Sequence, residues 1–68
     1  MEYKNIKIGM YVKILLSDHE PIKGFVVIKG KNRIGINCND RFLSKLPEQL
    51  IEITDQKEIL LAIFERSV

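Results

Sequence analysis

"VVIKGKNRIGI", residues 26–36, is two apolar runs joined by a short polar tip. The tip sets Lys29, Lys31, Asn32 and Arg33 around Gly30 and carries three positive charges. Apolar alternation on both sides of such a cluster predicts a β-hairpin. Pairing Lys29 with Arg33 leaves Gly30, Lys31 and Asn32 as a three-residue loop. A loop of that kind places one residue in the left-handed region, which Gly or Asn tolerates. In this register Ile28 opposes Ile34 and Val26 opposes Ile36, so the apolar sets share one face. A one-residue slip would turn one set into water, which is why the agreement favours this pairing. The tip itself reads two ways, as a solvated turn or as a cationic group presented to phosphate.

Working outward, the strand before the tip, "IKGFVVIK", places Ile22, Gly24, Val26 and Ile28 on one face and Lys23, Phe25, Val27 and Lys29 on the other. Upstream, Ile6, Ile8, Met10, Val12, Ile14 and Leu16 alternate with Lys7, Gly9, Tyr11, Lys13 and Leu15, which predicts one half-buried strand over 6–16. The run "SDHEP" (17–21) ends it with turn residues and a proline. Downstream of the hairpin, Ile34, Ile36 and Cys38 share a face, and Asn39-Asp40 is a turn signal. Phe42, Leu43 and Leu46 predict a short strand or a loop tucked onto the core. Pro47 suits the first turn of a brief helix or 3₁₀ turn. Leu50, Ile51 and Ile53 predict a final strand.

The last stretch, "TDQKEILLAIFERSV", is read less directly. Asp55 with Glu58 three residues later resembles an acidic capping box. Ile59, Leu60, Ile63 and Phe64 would then form one apolar helical stripe. As a strand, the six apolar residues 59–64 show no alternation and would need burial on both faces. The helix is the favoured reading.

Sixty-eight residues bound the chain to one domain, 1–68, with a thin core. The lone cysteine, Cys38, excludes an internal disulfide and fits a reducing compartment. Its spacing from Ile34 and Ile36 reads as core rather than as a reactive thiol. No apolar run approaches the ~18 residues of a membrane span. "MEYKNIKIGMYV" lacks the apolar segment of a signal peptide, so the expected setting is cytoplasmic, with no membrane partner. The formal net charge is only +2, but it is unevenly spread. Residues 1–46 hold nine Lys/Arg against four Asp/Glu, and 47–68 hold two against five, a balance of +5 and −3. A polarised surface is expected.

The glycines in "IGMYVKIL" and "IKGFVV", the basic turn leading to "RIGI", and the closing "LPEQLIEI" together resemble the small SH3-like barrels of the KOW type. The resemblance covers 6–54. It implies a mainly β fold of about five short antiparallel strands closing around a small core, with 55–66 as a C-terminal helix outside the barrel. Such families bind RNA, DNA, nucleoprotein machines or proteins, so the fold alone does not choose among them.

Enzymatic signals are weak. His19 stands between Asp18 and Glu20 in a turn, where neither a metal nor a Ser17–His19 pair would find converging, ordered partners. No cofactor or metal site is expected, and the expected function is nonenzymatic. The cations Lys23, Lys29, Lys31, Arg33 and Arg41 are the candidate nucleic-acid contacts, since clustered cations neutralise phosphates. Tyr11 and Phe25 are the candidate stacking platform for bases. With Lys13 opposite Phe25, Tyr11 would face Val27 and Leu15 would face Lys23. That outer face is too apolar to stay bare. Its expected cover is the C-terminal segment, through Ile59, Leu60, Ile63 and Phe64. Burying those four would contribute roughly 6–12 kcal/mol before ordering costs, at about 1.5–3 kcal/mol each. The alternative is a small adaptor, regulator or inhibitor that meets a protein partner, or a second copy in a homo-oligomer, through an exposed strand edge or through Tyr11, Phe25 and the same four residues.

Overall fold

The computed structural model describes residues 1–15, 21–39 and 41–66. Five strands form one antiparallel sheet: β1 (Tyr11–Ile14), β2 (Ile22–Lys29), β3 (Ile34–Cys38), β4 (Arg41–Lys45) and β5 (Leu50–Glu52). Their order is β4-β3-β2-β1-β5. The first four strands are a meander. A 3₁₀ turn at Pro47–Gln49 then returns the chain to β1, and Gln49 Oε1 accepts the Leu46 N–H at 3.0 Å to cap it. The C-terminal segment is the helix α1 (Gln56–Arg66). The fold is therefore mainly β with a C-terminal helix, as the alternation and the capping signal predict.

The core is entirely apolar. Ile6, Val12, Ile14, Val26, Ile34, Ile36 and Leu50 are fully buried, with Cys38 and Ile53 beside them. Alternation explains most of this list: Val12 and Ile14 from β1, Val26 from β2, and Ile34, Ile36 and Cys38 from β3 point inward together. Gly24 lies on the same face and lets β3 close over it.

Three local features depart from the expected strands and pairings, and the first two decide what faces outward. The first is at Gly9. The expected 6–16 strand is only Tyr11–Ile14 in the structure, because the chain turns at Gly9 with φ +95°, a conformation side chains rarely adopt. Gly9 N–H donates to Val26 O at 2.7 Å, and Val26 N–H to Met10 O at 2.9 Å. Ile6 still reaches the core, while Ile8 is 67% exposed. Leu16, the turn residues 17–20 and Asp40 lie outside the described residues.

The second departure is a β-bulge between Val26 and Ile28. Val26 opposes Ile36 as expected, but Ile28 opposes Gly35 and Lys29 opposes Ile34. The extra residue reverses the parity of the strand end, so Ile28 leaves the core face and is 54% exposed. The predicted Lys29–Arg33 pairing is corrected accordingly. Gly30 and Arg33 flank a two-residue tip, Lys31-Asn32, closed by Gly30 N–H to Arg33 O at 2.9 Å. No residue of this loop has positive φ. Bulge twist takes the place of the left-handed residue.

The third is the β1–β2 register. Tyr11 opposes Phe25 and Lys13 opposes Lys23, two residues from the expected pairing. A two-residue shift preserves facing, so Tyr11, Lys13, Lys23 and Phe25 still share the outer face. No described helix is long and apolar enough to cross a membrane.

Candidate nucleic-acid interface

The outer face divides into a covered half and an open half. α1 covers the first. Lys57 N–H donates to Asp55 Oδ1 at 2.9 Å, so Asp55 caps the helix as its spacing predicts. Glu58 does not complete a capping box; it accepts a hydrogen bond from the Lys23 ammonium on β2. Eight residues on, Arg66 donates through Nη2 to the Asn37 carbonyl at 2.7 Å and lays its guanidinium 4.8 Å from the Phe25 ring centroid. Between them Ala62 lines a cleft with Tyr11 and Lys23. Tyr11 and Phe25 pack together beneath the helix, with centroids 4.7 Å apart. Burial holds the Tyr11 hydroxyl above its ordinary pKa, with the Lys23 charge opposing and Glu58 adding to the rise. The Glu58 hydrogen bond raises Lys23 above its own ordinary value.

This arrangement withdraws Lys23, Tyr11 and Phe25 from the expected binding surface and engages them with α1. It also differs from the expected apolar cover. The helix residues withdrawn from solvent are Glu58, Ile59, Ala62 and Arg66, while Leu60, Ile63 and Phe64 are exposed. The sheet offers α1 an ammonium, a carbonyl and an aromatic face. A carboxylate and a guanidinium match those groups, and leucines do not.

The open half lies over β3, β4 and the tip. Phe42, expected near the core, points outward and is 54% exposed. Its ring rests over Gly35: a Cβ there would meet Phe42 Cζ at 2.6 Å and Ile28 Cβ at 3.0 Å. Gly35 opposes Ser44 across the ladder. Arg33 reaches the same pair, donating through Nε to Ser44 Oγ and through Nη2 to Ser44 O, both at 2.9 Å. The Phe42 ring and the Arg33 guanidinium thus flank one small step, Gly35–Ser44, with Ile28 beside them.

The tip is braced from behind. Tyr3, in the 3₁₀ turn Tyr3–Asn5, donates its hydroxyl to Gly30 O at 2.6 Å, and the Lys29 ammonium lies 4.3 Å from the Tyr3 ring centroid. Lys31 stands at the apex, exposed. Lys45 opposes Ile34 at the tip end of β4. Arg33 therefore shares the outer face with Phe42 and Lys31 stands at the apex, while Lys29, expected outward with Lys23 and Phe25, is turned by the bulge to the other side, where it and Lys45 both pair with the buried Ile34.

Arg41 is not brought to them. It pairs with Cys38 at the far end of β4, about 13 Å from Lys45 at ~3.3 Å per residue. There it lines a cleft of about 330 Å³ with Tyr11, Lys23, Asn39, Glu65 and Arg66.

The sequence reading passed over Phe42 and Ile28 as surface residues. A signal for Phe42 was present: in "RFLSK" it shares parity with Ser44 and opposes Leu43, which takes the inward side. Ile28 had no local signal, because the bulge alone turns it outward. Among the described residues no three His, Cys, Asp or Glu groups converge as metal ligands would. Comparison with family models, with curated proteins and with solved structures finds no match to this chain.

Proposed function

We propose that this chain is a nonenzymatic module that binds single-stranded nucleic acid, alone or within a nucleoprotein complex, through the open half of its outer face. The observation that carries the reading is the exposed Phe42 ring seated over Gly35, whose ladder partner Ser44 holds the Arg33 guanidinium. Stacking on an aromatic ring serves any base, and flanking cations follow the backbone. Lys31 and Arg33 would supply the phosphate contacts beside Phe42, the base platform, with Lys29 and Lys45 adding positive charge from the other side of the tip. Arg33 is pre-positioned by Ser44 and keeps donors beyond those two bonds. The meander closed by a 3₁₀ turn and a fifth strand on β1 supports the SH3-like barrel reading, and the single, buried Cys38 supports a reducing, cytoplasmic setting.

The test is fluorescence anisotropy with labelled single-stranded RNA and DNA over a salt series. Each phosphate neutralised contributes about 0.7 to the log–log salt slope on single strands. Lys31→Ala should flatten the slope by about that amount. Phe42→Ala should cost about 1–3 kcal/mol and leave the slope unchanged. Absence of binding at low salt, or affinity indifferent to both substitutions, would remove the proposal. The alternative reading, a protein-interaction module, draws on a different observation: the side of α1 turned from the sheet, where Leu60 and Phe64 are exposed with Ile63 beside them.

A further inference from the structure

α1 turns a whole apolar side away from its own sheet. Glu58, Ile59, Ala62 and Arg66 face the sheet, so at 100° per residue the opposite side carries Lys57, Leu60, Leu61 and Phe64. These four line one open groove, in which Leu60 is 62%, Leu61 60% and Phe64 66% exposed. The face is close to self-complementary. Lys57 lies three residues before the leucine pair and Phe64 three residues after it.

We propose that this face binds the same face of a second copy of the chain, with the two helices antiparallel about a two-fold axis passing between Leu60 and Leu61. Reversal lays Leu60 on Leu61 of the second copy and sets the Lys57 ammonium over the Phe64 ring of that copy. Symmetry makes each contact twice. An ammonium over an aromatic face is attractive, and more so as the leucines exclude water around it. The parallel arrangement would instead oppose Lys57 to Lys57. Antiparallel packing also aligns the two helix dipoles favourably. An eleven-residue helix is about 16 Å long, so the contact is smaller than the ~1,600 Å² of a standard stable interface. The dimer therefore forms reversibly with concentration. It stands independently of the nucleic-acid reading, since α1 and the Phe42 surface are different faces.

Analytical ultracentrifugation of the full chain without nucleic acid tests this. The mass should move from monomer toward dimer as concentration rises. Leu61→Glu should raise the dissociation constant about tenfold or more, with the circular dichroism spectrum and oligonucleotide affinity of the monomer retained. Phe64→Lys should weaken the dimer by setting Lys57 against a second lysine, and the double exchange with Lys57→Phe should recover it, because the pair is then rebuilt with its members swapped. A monomer at every soluble concentration overturns the proposal and leaves the groove to another partner. So does a dimer indifferent to Leu61→Glu. Failure of the double exchange to recover association overturns the antiparallel pairing.

Discussion

At the scale of single residues, two glycines on β2 and β3 do opposite jobs. A Cβ at Gly24 would lie 2.6 Å from the Asn37 carbonyl oxygen and 2.7 Å from both Cys38 Sγ and Ile36 Cγ2. Backbone and core atoms cannot give way, so Gly24→Ala should destabilise the fold by about 1–3 kcal/mol. For a domain this small that is about 4–8 °C of melting temperature per kcal/mol, read by thermal denaturation. At Gly35 the nearest atom is the far end of the Phe42 ring, which can swing. Gly35→Ala should therefore cost less stability, near the ~1 kcal/mol low end of that range, while tilting the base platform and weakening oligonucleotide binding. If affinity is unaffected by Gly35→Ala, the Phe42 ring seated over Gly35 is not what binds. In the sequence both glycines read alike, as sites of tight curvature or bulges. Which of them closes the core and which seats a ring depends on the strand paired across from it.

At the scale of elements, α1 is formed locally and placed remotely. Its cap was legible, since Asp55 needs only its own chain neighbours. Asp55→Ala should cost about 1 kcal/mol, seen as reduced helicity on heating. Its orientation on the sheet rests on Lys23–Glu58, Arg66 on Asn37 O and Arg66 over Phe25, none of which appears in local periodicity. The pH response follows from the same contacts. Lys23 and Tyr11 both hold their protons more tightly in the folded chain than in the unfolded one. Such groups support the fold at lower pH and withdraw that support as pH rises through their folded values. Stability should thus be flat through neutrality with respect to these two groups and fall above about pH 10. Glu58→Gln should weaken the Lys23 part of that fall. An ultraviolet titration should show a late tyrosine ionisation, which Tyr11→Phe should remove.

At the scale of the whole molecule, the charge imbalance along the chain becomes an imbalance across the sheet. The strand order places β4, with Arg41 and Lys45, at one edge and β5, with Glu52, at the other. α1, with Glu58 and Glu65, lies over the Tyr11–Phe25 side of the outer face. A polyanion should approach from the β4 edge. In an NMR titration with single-stranded oligonucleotide, shifts should concentrate at residues 28–35 and 42–45 and spare Glu52 and the outward side of α1. Dilution without ligand should do the reverse, moving Leu60, Leu61 and Phe64 alone. Shifts centred instead on the cleft around Arg41 and Arg66 would relocate the binding surface.

What the sequence determined by itself was the set of local commitments. Period-two alternation marked the strands, Pro47 the 3₁₀ turn, Asp55 the helix start, and the +5 and −3 segments the polarity of the surface. Each depends on residues within a few positions, where backbone sterics and side-chain capping act. What only the tertiary structure decided was parity and facing. The bulge after Val26 sent Ile28 outward, the turn at Gly9 cut the first strand short, and Gly35 gave Phe42 a seat in the open rather than a place in the core. The groups presented by β2 and β3 chose which side of α1 to hold. α1 has apolar residues on more than one side, so its own periodicity could not name the buried one. The choice fell to pairing a carboxylate and a guanidinium with partners that the chain meets only after it has folded.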